Sequence, residues 1–136
     1  MLLLRSRTRD YTCGMRLVIT SDLHYHPVHA EVHRTFAARV AALRPDCFVI
    51  AGDVGATPAR FRAALRNFAM LSCPRLVLPG NHDLYVFPPR SGGNGAAPAA
   101  AAGQSHVPIV DSSTLWLDLL PRVAAEEGFG WLEARA

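Results

Sequence analysis

Three short apolar runs mark the rhythm of this chain: Leu17-Val18-Ile19, Phe48-Val49-Ile50 and Leu76-Val77-Leu78, each closed soon afterwards by Gly, Pro or Asp. Runs of this length, rich in β-branched residues and without polar alternation, predict strands buried on both faces, as in a parallel sheet. Between the first two, Val32, Phe36, Val40 and Leu43 recur at helical spacing and predict an amphipathic helix from about Ala30 to Arg44, stopped by Pro45-Asp46. After the second run, Thr57-Pro58 offers an N-cap and first turn. Phe61, Leu65, Phe68 and Leu71 then form the apolar face of a second helix. Arg60, Arg62 and Arg66 fall on its other side and read as a solvated face. The fold class expected from this pattern is α/β, built of strand-helix repeats.

The later chain is less regular. Pro88 to Gly103 combines Pro-Pro, Gly-Gly and an alanine tract, so a flexible surface loop is expected over 88–110. Ser113 to Glu127 has helix-forming content, with Pro121 either kinking that helix or opening a second one, and Gly128 as its stop. Phe129-Gly130-Trp131-Leu132 reads as the start of another strand. Residues 1–14 carry no periodicity, and Met15 stands just before the first strand. They are expected to be a disordered tail or a mis-assigned start, leaving 15–136 as the domain.

Composition narrows the picture. A chain of 136 residues with 50% hydrophobic content suits one domain with its own core. No apolar run approaches the roughly 20 residues that span a bilayer, and Leu2-Leu3-Leu4 is too short for a signal-peptide core. The expectation is a soluble cytoplasmic protein with no membrane partner. Cys13, Cys47 and Cys73 are odd in number and lack CxxC spacing, which suits reduced, buried thiols. The net charge is +3, yet all 14 basic residues are Arg, and three of them lie in the first fourteen residues. Counted from Met15, 11 Arg face 10 acids, so the basic balance gives no ground for a nucleic-acid partner. The absence of Lys also removes the P-loop, whose lysine must reach the phosphates.

The chemistry lies in the residues just after the apolar runs: Asp22-Leu23-His24, Gly52-Asp53 and Gly80-Asn81-His82-Asp83. Asp22 and Asp53 are 31 residues apart, and Asp53 and Asn81 are 28 apart, close to the length of one strand-helix-strand unit, about 30 residues. Each motif is therefore expected at the carboxyl end of a neighbouring strand, where open α/β sheets gather ligands. In an extended segment Asp22 and His24 would project to one side and grip one ion. Asp53, with two carboxylate oxygens, could bridge two ions, and Asn81 could offer its amide oxygen to the second. Oxygen and nitrogen donors without thiolate favour Mn, Fe or Zn. Two such ions about 3.5–4 Å apart suit phosphoryl chemistry through a metal-bridging hydroxide. His82 could protonate a leaving alkoxide, and Asp83 could orient that imidazole. Taken singly, Asp22 or Asp53 reads equally well as a helix cap, and Gly80-Asn81 as a turn. His26, His29 and His33 read as surface or helix-start residues.

In this order and at this spacing, the three motifs resemble those of the calcineurin-like metallophosphoesterases. The resemblance covers approximately residues 15–87, with 111–133 fitting the helix and strand that often come next. It implies a four-layer α/β/β/α sandwich, of which this chain carries the first half, and hydrolysis of a small phosphoester by a dinuclear centre of divalent or trivalent ions. It implies further that Asp22 and His24 bind one metal, Asp53 bridges, Asn81 binds the other and His82 is catalytic. That family completes its site with a later His and a Gly-His-x-His motif. Here His106 is the sole histidine after His82, and it does not follow an apolar run. The resemblance therefore carries an alternative: a truncated, weakly active or inactive member acting as a metal-binding or interaction module. Its open sheet face would favour a homo-oligomer or a complementing chain. Protein phosphatases of the family continue the second motif as Gly-Asp-x-Val-Asp-Arg-Gly, whereas this chain reads Gly52-Asp53-Val54-Gly55-Ala56-Thr57. Phosphomonoesters, phosphodiesters and nucleotides stay open as substrates.

Overall fold

The computed structural model describes residues 14–86 and 111–132. The apolar runs form strands β1 (Leu17–Thr20), β2 (Cys47–Ala51) and β3 (Arg75–Leu78), joined at the far edge by β4 (Gly130–Trp131). All pairings are parallel, in the order β1-β2-β3-β4, with Ile19 opposite Val49, Val49 opposite Leu76, and Leu76 opposite Gly130. A 3-10 turn (Pro27–His29) and helix α1 (Ala30–Ala42) link β1 to β2, and α2 (Pro58–Arg66) links β2 to β3. After β3 come a 3-10 turn (His82–Leu84) and, before β4, α3 (Ser112–Thr114), a π-helical turn (Leu115–Leu119) and α4 (Leu120–Glu126).

Sequential strand order has a direct consequence. Parallel crossovers are right-handed, so each one returns on the same side of the sheet. The core accordingly lies on one face. Phe48, Ile50 and Val77 from the sheet pack with Ala37 and Val40 of α1, Phe61, Ala64 and Leu65 of α2, and Leu120, Val123 and Ala124 of α4. On the other face Leu17 and Ile19 remain 49% and 60% exposed, and Val49, Leu76 and Leu78 are only partly covered. The sequence-based expectation of strands buried on both faces is thus corrected among the described residues. Among the described residues, one sheet with an open apolar face is what the family resemblance leads one to expect.

Local chemistry accounts for the helix limits. Thr57 caps α2, its Oγ1 accepting from the Arg60 N–H at 3.3 Å, with Pro58 in the first turn. Beyond Arg66 the chain tightens: Phe68 N–H donates to Leu65 O at 3.0 Å and Leu71 N–H to Phe68 O at 3.1 Å. Both side chains stay buried although the helix has ended. Helix α1 stops at Ala42, and it meets the core through Ala37 and Val40, whereas Val32 and Leu43 of the expected apolar face are exposed. Phe36, also on the expected face, is partly buried and packs against the same core, edge-on to Phe68. Pro121 lies in the first turn of α4, where its missing N–H is tolerated, and the π-helical turn precedes it. Gly128, at φ 76°, ends that helix.

Two sequence-based expectations about single residues meet the structure here. Arg62 and Arg66 are not simply solvated. Arg62 pairs with Glu126 at 2.6 Å and Glu127 at 3.0 Å, and Arg66 with Glu127 at 3.1 Å, tying α2 to the end of α4. Cys47 is buried and Cys73 half-buried, both as free thiols. Cys13, His106 and the stretch 88–110 lie outside the described residues. No helix among the described residues is long and apolar enough to cross a membrane.

Candidate metal centre

The pairing of β1 with β2 continues past the last strand residues. Asp22 N–H donates to Gly52 O at 3.1 Å, His24 N–H to Asp53 O at 2.9 Å and Tyr25 N–H to Val54 O at 2.9 Å. These bonds stitch the loop carrying the first motif along the loop carrying the second. They require unusual backbone: Asp22 (φ 55°), His24 (φ 42°) and Asp53 (φ 54°) are three of the four non-glycine residues in the left-handed region among those described, the fourth being Arg44. Asp and His visit that region more often than most non-glycine residues, yet each still meets the clash of Cβ with the following carbonyl, roughly 1–2 kcal/mol. Such strain survives only where the surroundings dictate it, and it gathers at functional sites.

The outcome is convergence. Asp22, His24 and Asp53 bring one potential ligand atom each within 4.8 Å of one another, and Asp22 Oδ1 lies 3.8 Å from His24 Nε2. The sequence suggested that Asp22 and His24 would share a side because the segment is extended. They do converge, but through two left-handed residues flanking Leu23, so the route is corrected. Asp22 and His24 are exposed and Asp53 is half-buried, and a cation among them would offset the mutual repulsion of the two carboxylates. Their oxygen and nitrogen donors are those that hard or borderline divalent ions accept. The residues present therefore fit a metal ion.

The third motif is pressed against the second. Gly52 adopts φ 89°, and a Cβ there would lie 2.9 Å from the Gly80 Cα. A Cβ on Gly80 would collide with the Asp53 carboxylate. Only paired glycines allow the two loops to meet backbone to backbone. Within this contact Asp53 Oδ1 accepts the His82 N–H at 3.0 Å. The His82 ring stands edge-on to His24, with centroids 5.0 Å apart, and beside Tyr85, also at 5.0 Å. Asn81 donates from Nδ2 to the Tyr85 hydroxyl at 2.9 Å, which keeps its amide oxygen available for an ion.

Asp83 is placed differently from its expected role beside the His82 imidazole. It is 1% exposed, and both of its oxygens are bonded to backbone amides: Oδ2 accepts from Val54 N–H at 3.1 Å and Gly80 N–H at 2.9 Å, and Oδ1 from Gly55 N–H at 2.7 Å. Burial pushes its carboxyl up from the usual range, against the pull of the three amides. The sequence offered no sign of this, because two of the amides it binds lie about one βα unit away. Tyr85 was missed as well. Its only sequence signal is its place four residues after Asn81.

The family model for calcineurin-like phosphoesterase matches residues 15–132. No curated protein gives a significant match.

Proposed function

Because the chain belongs to the calcineurin-like phosphoesterase family, we propose that it hydrolyses a small phosphoester at a two-metal site formed by the loops after β1, β2 and β3. Asp22 and His24 hold one ion, Asp53 bridges and Asn81 holds the second. The observation that carries this reading is the convergence of Asp22, His24 and Asp53 within 4.8 Å on strained, mutually stitched loops. Divalent ions bound there would supply Lewis acidity toward the phosphoryl oxygens and a nucleophile at neutral pH.

The chain's own groups have defined tasks in this scheme. Asp53 is restrained by the His82 N–H, so one of its oxygens is oriented before any ligand arrives. His82 is held by that same bond and packed between His24 and Tyr85. In this reading its imidazole gives a proton to the leaving alkoxide as the P–O bond breaks. Tyr85 fixes the Asn81 amide. The second-motif loop turns inward after Asp53: Val54 is buried and the Gly55 amide is taken by Asp83. The loop residues Val54-Gly55-Ala56-Thr57 carry no charged side chain, which supports a small phosphomonoester, phosphodiester or nucleotide over a phosphoprotein.

The test is metal content per chain after equilibration with Mn²⁺ or Zn²⁺, with oligomeric state recorded alongside. Two ions are expected in wild type, with loss in Asp53→Asn. His82→Ala should keep its metal and lose turnover of an aryl phosphate by about 10²–10⁴-fold. Unchanged metal content in Asp53→Asn would defeat the bridging assignment. A second reading, a non-enzymatic interaction module, is favoured by the open sheet face bearing Leu17 and Ile19. Metal-independent self-association without turnover is the result that would select it.

A further inference from the structure

Two carboxylates cross between the second and third motif loops in opposite directions. Asp53 of the second loop reaches the His82 N–H of the third. Asp83 of the third loop reaches back to the Val54 and Gly55 N–H groups of the second, and its Oδ2 also accepts from Gly80 in its own loop. The glycines at the crossing leave no slack, since a Cβ at Gly52 would press on Gly80 and one at Gly80 would strike Asp53. Asp83 is the sole buried polar or charged side chain among the described residues. A buried carboxylate costs several kcal/mol unless it is fully hydrogen-bonded. Here that burial serves an arrangement of loops rather than the filling of a core.

From this reciprocal bonding we infer that Asp83 is a positioning residue: it fixes the spacing of the second and third motif loops and so sets where Asp53 stands relative to Asn81. This rests on the metal-centred reading above. Asp83 touches neither substrate nor ion in this scheme. It acts through the Val54-Gly55 turn, whose position determines whether Asp53 can keep its bond to His82. A carboxylate is required because two oxygens must serve three N–H donors. The isosteric amide keeps one acceptor oxygen and turns an NH₂ toward a donor on the other side, so at least one bond is lost and a repulsive contact replaces it.

The test compares wild type, Asp83→Asn and Asp83→Glu by amide hydrogen exchange and by Mn²⁺ titration, reading free Mn²⁺ by electron paramagnetic resonance. In Asp83→Asn, exchange should rise at least about tenfold at Val54, Gly55 and Gly80, and also at His82, whose amide Asp83 does not touch. The core amides of Phe48 and Val77 should keep their protection. Mn²⁺ affinity should fall by about 10–100-fold, the usual cost of removing a partner that orients metal ligands. Asp83→Glu, which keeps the charge and both oxygens, should bind Mn²⁺ several-fold more tightly than Asp83→Asn.

A folded Asp83→Asn with unchanged His82 exchange and wild-type Mn²⁺ affinity would overturn the inference. So would Asp83→Glu binding no better than Asp83→Asn. Should Asp83→Asn fail to fold, wild type alone decides. Loops held in advance by Asp83 keep the same protection at Val54 and Gly55 with and without Mn²⁺, and a rise on adding Mn²⁺ would mean that the ion, not Asp83, orders them. If wild type binds no Mn²⁺ while His82 exchange still responds to Asp83→Asn, the metal reading fails and the spacing role stands.

Discussion

Replacing Gly52 with alanine tests whether loop contact, rather than the ligand side chains alone, builds this site. Two costs can be worked from the structure. Gly52 stands at φ 89°, where a Cβ-bearing residue carries a penalty of roughly 1–2 kcal/mol. The added Cβ would also lie 2.9 Å from Gly80 Cα and 3.0 Å from Gly80 N. That is about 0.5 Å inside an ordinary contact, and both neighbours are backbone, which cannot swing aside. Overpacking of this kind costs about 1–3 kcal/mol. The sum, about 2–5 kcal/mol, should lower Tm by about 7–17 °C in a chain of this size. Parting the loops by about 0.5 Å also reaches the tolerance within which binding groups must be held. Mn²⁺ affinity should therefore drop about tenfold or more, although no ligand has been changed. Thermal unfolding and Mn²⁺ titration measure the two effects, with Gly14→Ala as the control, since no atom of the described residues lies within 4 Å of a Cβ there. If Gly52→Ala melts within about 2 °C of Gly14→Ala and binds Mn²⁺ equally well, the close approach of the loops is not what shapes the site.

Two expectations concern the scaffold. Glu127 is drawn upward by burial, yet hydrogen bonds from Arg66 and Arg62 outweigh this and hold its carboxyl below the usual range. A depressed carboxylate stabilises the fold above its unfolded pKa and loses that contribution as pH falls through its folded value. Wild type should thus melt above Glu127→Gln at pH 7, with the gap closing below about pH 4; a gap unchanged at pH 3 would exclude the ion pairs as its source. Phe61, fully buried between α2 and the sheet, should cost about 3–5 kcal/mol on replacement by alanine. A urea midpoint that falls without a change in slope would report it, and a loss under about 1 kcal/mol would contradict the packing described.

Much of this protein is written locally. The runs 17–19, 48–50 and 76–78 become strands because β-branched and aliphatic residues without polar alternation have few other uses, and the ladder joins them in parallel at the expected spacing. Thr57-Pro58 caps a helix and Gly128 ends one because caps and left-handed stops depend on one or two residues. The spacing of the motifs, one strand-helix unit apart, puts Asp22, Asp53 and Asn81 just after β1, β2 and β3, as expected.

The tertiary structure decided what depends on partners distant in sequence. That Val32 is exposed while Ala37 is buried follows from where the sheet lies, not from helical periodicity. That Arg62 and Arg66 are paired follows from the approach of Glu126 and Glu127, some sixty residues away. The left-handed backbone of Asp22, His24 and Asp53 goes with the bonds that join the neighbouring loops, and residue type, which only permits that region, would not have located it. Asp83 shows the division most plainly. Its residue type announced an ionisable group beside a histidine. Only the folded chain, by bringing the Val54 and Gly55 amides to it, determined that its charge is taken up by backbone and that the imidazole is left to other neighbours.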